Sequence, residues 1–97
     1  MKGRRKAETD PEAVAIAALS YLATDQDELA RFLALTGLGP ESLREAVAHP
    51  AFAESLLDFV LSEDRLVLAV AAAQDLSPDE IVHARGRLEA RRMRSSD

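Results

Sequence analysis

Apolar residues recur along this chain in blocks that carry a helical period. From Pro11 to Ala23 the run PEAVAIAALSYLA is apolar on almost every side, which predicts a helix at the centre of the fold. The next block, DELARFLALT, sets Leu29, Phe32, Leu33 and Thr36 on one stripe. A third, PESLREAVA, turns Leu43, Ala46 and Val47 inward, and a fourth, PAFAESLLDFVL, sets Leu56, Phe59 and Val60 on one face. The fifth is nearly all apolar, with Arg65 and Gln74 as its polar ends. The last begins at Pro78, turns Ile81, Ala84 and Leu88 inward and runs into a cluster of arginines. No window alternates with the period of a strand. The pattern therefore predicts an all-α protein, a compact bundle of about six short helices.

The residues between the blocks support the same boundaries. Asp10-Pro11-Glu12 combines a capping side chain, a first-turn proline and an acid at the positive helix end. Asp25-x-x-Glu28 has the spacing of a capping box, and Gly37 fits a left-handed helix end. Gly39-Pro40-Glu41 opens the third helix, and Pro50 disfavours helical geometry at His49. Ser62-Glu63-Asp64 turns the chain into the fifth helix. Ser77-Pro78-Asp79-Glu80 is the strongest start signal of all. Gly86 weakens the sixth helix by about 1 kcal/mol relative to alanine.

Shifted by 38 positions, the chain matches itself in turn chemistry and apolar phase. Leu19 falls on Leu57, Thr24-Asp25 on Ser62-Glu63, Phe32 on Val70, Pro40 on Pro78 and Ala46 on Ala84. Only five of the 28 paired positions from Leu19 to Ala46 are identical, so the signal lies in the coincidence of corners and phase. The reading is two repeated three-helix units, residues 10–48 and 50–92, packed face to face in a single domain. Residues 1–9 read as a basic flexible tail and 93–97 as a short C-terminal tail.

Charge sharpens this picture. Residues 1–6 carry +4, residues 7–84 carry −12 and residues 85–97 carry +3, for a net −5. An acidic body argues against a nucleic-acid platform. There is no cysteine, hence no disulfide, thiolate metal site or thiol nucleophile. The longest strongly apolar stretch, LVLAVAAA, is far shorter than the roughly 20 residues a membrane span requires. The acids in ETDPE interrupt the order of a signal peptide, so the expectation is a cytoplasmic protein.

Candidate chemistry is sparse. The joint formed by Phe32, Leu33, Gly37, Leu38, Leu43 and Ala46 resembles a DNA-binding helix-turn-helix. Its second helix, however, offers the groove two acids and one arginine. Glu80-x-x-His83 has the spacing of half a di-iron site, but Glu80 is already explained as a capping residue. The acids at 25–28 and 63–64 fall at helix starts, where capping accounts for them, and Ser20 has no base near it in sequence. These residues predict no enzyme, no cofactor and no metal site. Arg65, Val67, Val70, Arg85, Arg87, Arg91 and Arg92 form the candidate partner surface. The expected function is a small helical protein-interaction module, binding an unknown protein or its own copy. The alternative is a DNA-associated regulator.

The stretches FLALTGLGPESLREA, PAFAESLLDFVLSED and LAVAAAQDLSPDEIVHAR resemble a small bacterial all-helical family of the domain-of-unknown-function type, number 3572. The resemblance implies a cytosolic helical protein of similar length and supplies no catalytic residue to carry over.

Overall fold

Each start signal in the sequence opens a helix. The computed structural model describes residues 10–95, which form α1 (Pro11–Ala23), α2 (Gln26–Thr36), α3 (Pro40–Val47), α4 (Pro50–Leu61), α5 (Asp64–Gln74) and α6 (Pro78–Ser95). These residues contain no strand. Residues 93–95 thus continue α6, and the N-terminal segment read as a tail lies outside the described residues.

Local hydrogen bonds account for the corners. Asp10 Oδ1 accepts the Glu12 N–H at 3.0 Å. At α6 the capping box is reciprocal: the Ser77 N–H donates to Glu80 Oε1 at 2.8 Å, and the Glu80 N–H donates to Ser77 Oγ at 3.1 Å. At α2 the box is only half made. Asp25 Oδ1 accepts the Glu28 N–H at 3.3 Å, while the Glu28 carboxylate turns away toward Arg31 and Arg65. Corners 38 residues apart share their chemistry. The Thr24 hydroxyl donates to the Tyr21 carbonyl at 2.7 Å, and the Ser62 hydroxyl to the Phe59 carbonyl at 2.6 Å. Gly37 ends α2 at φ 77°, and Asp75 ends α5 at φ 56°, each left-handed. Glycine adopts that region freely, and aspartate tolerates it better than most side chains.

Helices α1, α4 and α6 pack on one another as the centre of the fold. α5 contacts all three, and α2 lies against α1 and α4. With extents of 39 × 37 × 21 Å the molecule is flat, about two helix diameters thick. The alanines at 15, 18, 53 and 84 are buried among these helices, and short side chains at such positions let helix backbones approach closely. The larger core residues come from α1 (Val14, Leu22), α4 (Leu56, Leu57, Val60), α5 (Leu66, Val70) and α6 (Ile81, Leu88). Phe32 of α2 is buried against two rings of α4, edge-on to Phe52 at 5.7 Å and to Phe59 at 5.4 Å.

The two halves differ in how they are packed. α6 drives Ile81, Ala84 and Leu88 into the core. Its counterpart α3 has eight residues against 18, has no buried core residue among the described side chains and packs principally on α4. Leu43 and Ala46 are half-buried, and Val47, expected inside, is exposed. Val47 is the last residue of this short helix and borders a cleft toward Ile16 and Leu19 of α1.

Candidate interaction surface

Among the described residues, Arg31, Arg65, Arg85, Arg91 and Arg92 are held by carboxylates from elsewhere in the fold. Four side chains close a ring at the side of α2 and the start of α5. Glu28 bonds Arg31 at 3.0 Å and Arg65 at 2.9 Å, and Glu63 bonds Arg31 at 2.9 Å and Arg65 at 2.6 Å. The Arg31 guanidinium also stacks 5.1 Å from the centre of the Phe59 ring. Along α6, Arg85 grips both oxygens of Asp58 on α4, at 2.6 and 3.3 Å, and bonds Glu89 at 3.1 Å. Arg92 bonds Glu54 on α4 at 2.8 Å, and Arg91 lies 3.7 Å from Glu12 and 3.9 Å from Asp10.

Hydrogen bonding from Arg31 holds the Glu63 carboxyl below the ordinary carboxylate range. A group depressed in this way stabilises the fold fully above its unfolded pKa, near 4.5, and the contribution is lost as pH falls through the lower folded value. Arginines raised above their already high value lose theirs only in strong alkali. In urea titrations, Glu63→Gln is therefore expected to be less stable than the parent at neutral pH, and the gap is expected to close below about pH 4. A gap that stays constant from neutral pH to about pH 3 would show that the ring contributes nothing through charge.

The seven residues expected to face a partner do not form one surface. Val70 is fully buried: it lies on the side of α5 that packs into the core, and it presents nothing outward. Val67 is half-buried. Arg65 belongs to the α2–α5 ring, while Arg85 and Arg92 are drawn toward α4 and Arg91 toward α1. Arg87 is half-buried. The fifth helix, nearly all apolar in sequence, buries Leu66, Val70 and Ala71 but exposes Leu68.

Apolar surface instead gathers around α3. A groove of about 540 Å³ runs between α2, α3 and α4, with Leu38, Ala46, Ala51 and Phe52 in its wall. A smaller cleft of about 160 Å³ lies on the other side of the α3–α4 corner, lined by Ile16 and Leu19 of α1 with Val47 and Phe52. Leu35 borders a third depression beside Phe32 and Phe59. Ile16, Leu35 and Val47 are all exposed. His49 lines both the groove and the cleft and caps α4, its Nδ1 accepting the Ala51 N–H at 3.2 Å. The sequence marks His49 only as a non-helical residue before the helix-opening Pro50, which is the place of a cap. The groove itself had no signal in the spacing, because it arises from what α3 fails to cover.

Of the residues weighed for chemistry, Glu28 and Glu63 come together, each bonded to both Arg31 and Arg65. The Glu80 carboxylate is committed to the Ser77 N–H, and His83 is exposed. Among the described residues no three His, Asp or Glu side chains gather as a metal-binding group, and no helix is long and apolar enough to cross a membrane.

Fold and surface together define a small all-α domain with a basic last helix, whose Arg85, Arg91 and Arg92 are paired with carboxylates, and an apolar region around a short third helix. The chain matches the family described as Protein of unknown function (DUF3572) over residues 8–91, and it belongs to that family. No curated protein and no solved structure matches it.

Proposed function

We propose that this domain is a non-enzymatic, cytoplasmic protein-interaction module that engages its partner through the apolar region around α3. The observation that carries the reading is the shortfall of α3. Its inward residues Leu43 and Ala46 stay half-buried, and exposed Ile16 and Val47 line the cleft beside it. Large apolar side chains grouped at the rim of concave surface favour association over solvation. The DNA-regulator alternative finds less support. Arg85 and Arg92 on α6 are already bonded to carboxylates, and the outward side chains of α3 include Glu41 and Glu45 beside Arg44.

The test is recovery of the tagged chain from its native cells under a high-salt wash. A partner in fixed ratio is expected to remain with the parent and to be lost from Val47→Asp, whose circular dichroism should match the parent. A chain recovered alone, or one retained on duplex DNA with a steep salt dependence, overturns the reading.

A further inference from the structure

The outermost face of α6 is apolar where a solvent-facing helix is ordinarily polar. Ile81, Ala84 and Leu88 point into the core. At 3.6 residues per turn, the opposite side carries Asp79, Val82, Gly86, Ala90 and Met93. All five are exposed, Val82 by 56% and Met93 by 59%. Three arginines point away from this ridge, Arg85 and Arg92 toward α4 and Arg91 toward α1.

Gly86 sits near the midpoint of this 18-residue helix. A side chain added there would meet nothing within 4 Å. Neither a turn nor a close internal approach requires glycine, yet glycine in a helix interior is destabilising relative to alanine. The residue is explained if a backbone from outside comes close at that point.

We propose that the α6 ridge is a self-association surface, on which α6 of a second copy of this chain packs antiparallel across a twofold axis through Gly86. The ridge is self-complementary in that arrangement. Val82 faces Ala90 of the second copy, and His83 faces its Glu89. Asp79, at the acidic start of the helix, faces the turn that holds Met93 and Arg94 of the second copy. Neither Asp79 nor Arg94 has an ion pair among the described residues. A parallel arrangement would instead set like charges together. A twofold interface uses one patch twice, so a single helix face suffices. One pair of short helices buries area at the low end for protein interfaces, so the dimer is a weak one. This inference rests on the interaction-module reading only for the class of partner, a protein, and uses a different face from α3.

Sedimentation of the full chain from about 10 to about 500 µM tests it, bracketing a weak dimer. The mass is expected to rise with concentration from 10.5 kDa toward twice that value. Gly86→Ala separates the causes. It should raise the thermal midpoint, since alanine favours the helix, while weakening association about tenfold, since its methyl group holds the backbones apart. Asp79→Arg and Arg94→Asp should each weaken association, and the double variant should restore it. A mass fixed at the monomer value overturns the proposal and leaves the α3 reading standing. So does a Gly86→Ala variant that gains stability with association unchanged, or a double variant that restores nothing. A monomer whose Val82→Arg variant loses the partner captured under high salt assigns the ridge to a different protein and overturns the proposal as well.

Discussion

Phe32→Ala is expected to remove about 3–5 kcal/mol of stability, the cost typical of deleting a buried phenylalanine. Small domains hold only about 5–15 kcal/mol in total. In urea the variant should unfold at a far lower denaturant concentration, or show no cooperative transition. The cost is high because Phe32 is the one fully buried residue that α2 contributes and the ring on which Phe52 and Phe59 both stand edge-on. Without it, α2 keeps the Glu28–Arg31–Glu63–Arg65 ring, but Glu28 is the buried member and its arginine partners stay solvent-accessible, so the ring contributes little on its own. A loss below about 1 kcal/mol would mean that the aromatic group does not anchor α2.

Ala18→Leu should be nearly as damaging for the opposite reason. Ala18 is completely buried on α1, the helix that packs against both α4 and α6. Three extra carbons have nowhere to go without pushing helices apart, and overpacking of this kind costs about 1–3 kcal/mol. The same change at exposed Ala13 on the outer side of α1 should stay within about 0.5 kcal/mol. Thermal melts of the two variants beside the parent decide it. Equal midpoints would show that α1 has room to spare at Ala18.

The six helices and most of their inner faces were legible because they rest on local physics. Proline, acid and left-handed corners act over a few residues, and the 3.6-residue period ties Phe32, Leu56 and Ile81 to the core wherever the helices pack. The surface was much less legible. Arg65, Arg85 and Arg92 stand out in the sequence as basic residues, yet Glu28, Asp58 and Glu54 neutralise them from other helices at separations of 27 to 38 positions. Val70 misled for a related reason. In a helix that is apolar all round, periodicity does not say which side is covered, and only the placement of α1 and α4 decides it. The unequal halves escaped notice too, since the 38-residue match compares corners and says nothing of how much each third helix buries.

That inequality makes α3 the segment of the fold that can detach at least expense. Held principally by α4, with Leu43 and Ala46 only half-buried against the core, residues 40–47 should open in brief local excursions while α1, α4 and α6 stay closed. Their amides should exchange with solvent sooner than those of α4. Molecules able to clasp α3 would therefore meet a hinged flap on a rigid base, and most of the ordering on contact would fall to those eight residues.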